Sequence, residues 1–234
     1  MPNQVKLNLV SFFNKIKDEQ YVVIKPSKQL PSYSSGSDID LFCYNPSRMI
    51  EAITSFLSKY VDNNSNISIL DSEDKAHVDF IVDKKINIRF DIYKKLPIYR
   101  NISLKSSFFS SVIEGAKIEE YRNDMGNTFI KVPSNCDDFI LRYVEYHEYY
   151  AQRPDKIKHI EYIENCINDL DKKIALNKLH FYTAFPAVEY QEKTRKEKFS
   201  EKMSYYSDMV NKVRHLYHQG GVKSVINKVT RKLG

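Results

Sequence analysis

Residues Ile86 to Tyr93 alternate without a break: Ile86, Ile88, Phe90 and Ile92 fall on one side, Asn87, Arg89, Asp91 and Tyr93 on the other. Successive side chains of a strand point to opposite faces, whereas the apolar stripe of a helix needs steps of three and four. This stretch therefore has to be a strand with one apolar face. A partner strand is expected just before it, Ala76 to Val82, with Asp83-Lys84-Lys85 as the hairpin connection. An apolar sheet face must be covered by another layer, so the chain is committed to a sheet plus helices or a second sheet. Hydrophobic residues make up 42% of the 234 positions, enough to build that core.

Other elements can be placed around this strand. Val5, Leu9, Phe12 and Ile16 follow helical spacing, Tyr21 to Lys25 is a short strand ended by Pro26, and Asp38 to Tyr44 is another strand. Pro46 at a first-turn position opens a helix to about Tyr60, and residues 62–66 form a polar loop. Beyond Pro133 the pattern turns helical. Ser134 with Asp137 or Asp138 marks a helix start, Ile157 to Ile174 a second helix after Pro154, and Phe199 to Tyr217 a third with a heptad-like seam. After Gly220-Gly221, Val222 to Leu233 forms a basic amphipathic helix. The expected fold class is α+β: residues 1–133 carry a small mixed β-sheet and residues 134–234 a C-terminal helical domain.

The chemistry concentrates in Ser34-Ser35-Gly36-Ser37-Asp38-Ile39-Asp40-Leu41-Phe42. Asp38 and Asp40, two residues apart on a strand, share a face, and two close carboxylates repel unless a cation lies between them. Hard oxygen ligands suit Mg²⁺ (or Mn²⁺), and the small Ser35, Gly36 and Ser37 allow backbone N–H groups to approach a polyphosphate. A third carboxylate from a neighbouring strand would complete a two-metal site. Asp91 is placed for that role, and Asp79, on the polar face with His77, is its rival.

Gly36-Ser37-Asp38-Ile39-Asp40-Leu41 resembles the signature of DNA-polymerase-β-like nucleotidyltransferases. Tyr21 to Lys25, Leu30-Pro31, Arg89 to Tyr93, Val132-Pro133-Ser134, Asp137-Asp138, His147, Lys156 and Lys158-His159 resemble a subgroup of uncharacterised members associated with bacterial surface-polysaccharide biosynthesis. The resemblance covers roughly residues 20–165. It implies a nucleotidyltransferase core in which Asp38 and Asp40 bind the metal while Asp91 joins them and assists deprotonation of the acceptor. The implied reaction moves a nucleotidyl group from an NTP to a hydroxyl or phosphate of a small molecule or glycan precursor. Many members carry their Gly-Ser earlier in the chain, with a helix before the Asp pair. Here it abuts the pair, and Lys25 and Lys28 are the candidates to share the phosphate contacts. The alternative is a non-catalytic nucleotidyltransferase-like module, an antitoxin or scaffold.

Charge and composition narrow the partners. Residues 193–234 hold 11 Lys and Arg against 3 Asp and Glu, leaving 25 basic against 27 acidic residues elsewhere. A surface built for nucleic acid is therefore not expected. The basic terminal helix suits either peripheral contact with anionic lipid or docking on protein. His147 and His159, twelve apart, lack the spacing of a helical zinc pair. Cys43, Cys136 and Cys166 are unpaired in spacing, and no secretory signal or long apolar run is present, so a cytoplasmic, reduced setting is expected.

Overall fold

Asn8 caps the first helix by accepting a hydrogen bond from the Ser11 N–H, and α1 (Leu9–Lys15) buries Leu9, Val10, Phe12 and Phe13. The computed structural model describes residues 5–99, 102–149 and 156–183. The short strand β1 (Tyr21–Val23) is buried throughout, and β2 (Ser37–Cys43) follows the Ser/Gly loop. Asn45 caps α2 (Pro46–Leu57), with Pro46 in its first turn and a single 3-10 turn, Ser58–Tyr60, continuing it. Three strands come next: β3 (Ser65–Asp71), β4 (Lys75–Val82) and β5 (Lys85–Tyr93). Positive φ at Asp83 and Lys84 makes the tight turn between the last two.

The five strands form one mixed sheet in the order β1-β2-β5-β4-β3. β1 is antiparallel to β2, and β2 is parallel to β5 with Asp38 opposite Arg89 and Asp40 opposite Asp91. The apolar face of β5 meets α1, where Phe12 lies 5.2 Å, ring to ring, from both Phe90 and Phe56. The observed α+β content with a small mixed sheet is the expected fold class.

The expectation of a single buried face on β5 needs correction: Asn87 and Asp91 are buried as well. β5 sits in the middle of the sheet, and its polar face is closed at both ends. At one end Tyr33 and the Val5 carbonyl bond the Asn87 side chain. At the other, Phe42 stacks on Phe109 at 4.6 Å and contacts Tyr93 at 5.6 Å. Phe109 belongs to α3 (Ser107–Glu114), which precedes a two-stranded sheet of β6 (Lys117–Asn123) and β7 (Gly126–Val132).

Ser134 opens α4 (Asn135–Tyr149) as expected, its hydroxyl accepting from the Asp137 N–H at 3.2 Å and donating to the Asp137 carboxylate at 2.7 Å. The helix expected over Ile157 to Ile174 is two helices, α5 (Ile157–Cys166) and α6 (Asp169–Tyr182). Ile167 adopts an extended backbone and Asn168 caps α6 by accepting from the Asp171 N–H, and that cap outweighs the continuing apolar spacing. Phe139, Ile140 and Val144 of α4 and Ala175 of α6 share one hydrophobic cluster with Val22, Ile24, Phe42 and α3. The described part of the expected helical domain thus belongs to the same compact unit as the sheet, with no separation at residue 133. The expected helices over 199–217 and 222–233 lie outside the described residues. No helix among those described is long and apolar enough to cross a membrane.

Candidate functional site

Gly36 has φ of +83°, and its N–H donates to the Asn87 carbonyl at 2.7 Å, fastening the Ser/Gly loop to β5. The turn is closed by the Ser37 N–H donating to the Ser34 carbonyl at 3.0 Å and the Ser34 N–H donating to the Ser37 hydroxyl at 3.1 Å. A side chain at position 36 would strain that left-handed backbone. Ser35 and Gly36 are exposed and Ser37 half-buried, so the loop presents backbone to solvent beside the Asp pair.

Asp38, Asp40 and Asp91 come to one face: the first two by strand period, and Asp91 as the in-register neighbour of Asp40 on the parallel strand. Asp38 is exposed, Asp40 half-buried and Asp91 buried. β4 adds Lys75, which sequence reasoning missed, and His77, which it placed on the polar face without a contact to Asp91. Lys75 Nζ donates to Asp91 Oδ2 at 2.5 Å and to the Tyr93 hydroxyl at 3.1 Å, and His77 Nδ1 lies 2.5 Å from Asp91 Oδ1. Burial alone would raise the Asp91 pKa, but His77 and Lys75 outweigh it and hold the carboxyl below its ordinary value. For Asp40, burial wins over the nearby Lys25, and the Asp91 charge adds to it, so its pKa is raised.

Asp79 is held differently. Arg89 Nε and Nη2 donate to its two oxygens at 2.6 and 2.7 Å, a bidentate pair that takes up both carboxylate oxygens.

Lys25 stands at φ +49° and reaches Asp40 at 3.6 Å and Glu145 of α4 at 2.6 Å. Burial opposes its charge, but the Asp40 and Glu145 carboxylates outweigh that and raise its pKa. Lys156 also donates to Glu145, and His159 Nε2 lies 3.8 Å from it. Burial works to raise the Glu145 pKa, yet Lys25 and Lys156 bring it down to about 2. Burial, aided by the neighbouring cations, lowers His159 to about 4 against the pull of Glu145. Glu145 lies 120 residues from Lys25 in the chain, and no local pattern signals the pairing.

A small cleft of about 40 Å³ is lined by Lys25, Ser37, Asp38 and Asp40, bringing four of the expected residues together. Lys28 instead lines a separate cavity with Lys117, Asp138 and Tyr162. Among the described residues no set of three His, Cys, Asp or Glu side chains stands ready to hold a metal ion. Asp38, Asp40 and Asp91 share a face and offer the oxygen donors that a hard cation takes, and Lys75 contacts Asp91 there. Tests against protein-family models, curated proteins and solved structures give no match for the chain.

Proposed function

We propose that the chain is a Mg²⁺-dependent nucleotidyltransferase of the polymerase-β-like kind, moving a nucleotidyl group from an NTP to an acceptor on a small molecule or glycan precursor. The observation that carries this reading is the in-register pairing of Asp40 with Asp91 on parallel strands, beside a glycine turn whose exposed residues Ser35 and Gly36 lie next to Asp38 in the chain. Asp38, Asp40 and Asp91 would hold Mg²⁺ (or Mn²⁺), which when bound neutralises phosphate charge and lowers the pKa of an attacking hydroxyl.

The remaining roles belong to the chain's own residues. Ser35, Gly36 and Ser37 orient the phosphates, Lys25 offers an ammonium from the cleft wall, and Asp91 accepts the acceptor's proton. A bond forms between the acceptor oxygen and the α-phosphorus, and the bond to pyrophosphate breaks. Incubation with each labelled NTP, Mg²⁺ and a cell extract tests this. The expected result is a labelled product that disappears in Asp38→Ala/Asp40→Ala; label transfer that survives in that variant contradicts it.

One observation favours a second reading, a non-catalytic binding module: Asp40, Asp79 and Asp91 each have a cationic side chain in contact. Such a scaffold would show no metal-dependent nucleotide binding by calorimetry.

A further inference from the structure

The cavity that takes Lys28 measures about 290 Å³, at the lower end of the range of about 300–1,000 Å³ typical of small-ligand pockets. It shares Pro26 and Ser27 with the cleft at Asp38 and Asp40, so a ligand spanning that wall would have one end beside the carboxylates. Its charges are paired rather than gathered for an anion: Lys117 with Glu119, Glu120 with Arg122 and Asp138 with Arg142. Lys117 is also engaged, donating to Asn135 and to Glu119 at 2.6 Å each.

What remains is a lining of carboxylate and amide acceptors interleaved with the rings of Tyr121 and Tyr162. Arg142 lies 3.9 Å over the Tyr162 ring and Lys28 5.4 Å. Arg142 is buried and Lys28 exposed, so the first fixes the ring and the second can yield to a ligand. Asp138 Oδ2 accepts from Arg142 at 2.8 Å, while its Oδ1 is shielded and without a hydrogen-bond partner among the described residues. A turn of that carboxyl would offer Oδ1 to a hydroxyl donor, relieving an unsatisfied buried acceptor.

We propose that this cavity binds the acceptor and that the acceptor is an uncharged polyhydroxylated ring, its apolar face against Tyr162 and its hydroxyls on Asp138, Asn135 and Glu119. This rests on the nucleotidyl-transfer reading and narrows the acceptor group from hydroxyl or phosphate to hydroxyl. A phosphate would meet Lys117 and Arg142 already paired with carboxylates.

The test uses the full chain without nucleotide or metal: saturation-transfer NMR with methyl glucopyranoside, methyl galactopyranoside and N-acetylglucosamine, and inorganic phosphate as the anionic control. Transfer to the ring protons of at least one pyranoside is expected, retained in Asp38→Ala/Asp40→Ala and in Tyr162→Phe. Tyr162→Ala should weaken it about tenfold, and Tyr121→Ala on the surface hairpin should weaken it in the same sense. No transfer from any pyranoside, transfer unchanged by both alanine variants, or perturbation of the cavity tyrosines by phosphate alone would overturn the proposal. Failure of the reaction itself would show only in the turnover assay, so the two claims fall separately.

Discussion

Two buried carboxylates stand on the same face of the central sheet, and the protein holds them in different ways. Asp79 is clamped by the fork of Arg89, which is permanently charged, planar and matched to both carboxylate oxygens. Asp91 is held by two point contacts, Lys75 and His77, whose side chains are 21% and 27% exposed. A clamp of the first kind is a fixed part of the sheet. Contacts of the second kind can be exchanged for another cation at modest cost. That difference favours Asp91 over Asp79 as the acid that joins Asp38 and Asp40, and it accounts for why a lysine and a histidine crowd a position where a metal is proposed.

Substitution at the two acids should therefore have opposite consequences. Asp91→Asn should abolish nucleotidyl transfer, a loss of at least about a thousandfold in turnover, with little change in thermal melting. Asp79→Asn should strand the Arg89 guanidinium and lower stability by roughly 3–5 kcal/mol in denaturant titration. A variant pair with the two effects reversed would break the comparison.

A third charged region, around Glu145, should respond to pH. His159 has a folded pKa of about 4 against 6.5 unfolded, so the unfolded chain binds the extra proton first and stability falls as pH drops through that interval. Between pH 6.5 and about 4.5 the loss should be roughly 2 kcal/mol, and His159→Gln should remove most of it in urea melts at a series of pH values. Glu145 adds its own loss only lower, below its unfolded value of 4.5 and toward its folded value of about 2. The smallest effect belongs to Lys75→Met, which takes away a competitor for Asp91. Mg²⁺ affinity should rise by about three- to tenfold, about 1 kcal/mol, in calorimetry.

Much of the site was legible because its parts are local. Strand period alone brings Asp38 to Asp40, and an unbroken alternation marks β5, so the meeting of Asp40 with Asp91 needed only that these strands be neighbours. The cationic shell was not legible. Lys75 and His77 look like ordinary polar positions until β4 is aligned against β5, and Glu145 reaches Lys25 only through the tertiary fold.

Each element that escaped sequence reasoning did so for a physical cause. β3 is an edge strand with no buried residue, so it lacks an apolar face to betray it. β6, Lys-Ile-Glu-Glu-Tyr-Arg-Asn, carries polar residues on both faces. α3 has only eight residues, too few for a sustained period. The expected helix over 157–174 failed at Asn168, where one capping side chain decided the local structure against the apolar spacing.

The most direct measurement is the electron paramagnetic resonance signal of free Mn²⁺ titrated with the protein in the presence of a non-hydrolysable NTP. The account predicts that the wild-type chain depletes the free-ion signal beyond nucleotide alone and that Asp38→Ala/Asp40→Ala, folded by circular dichroism, does not. Equal depletion by both proteins, or none by the wild type, would contradict it.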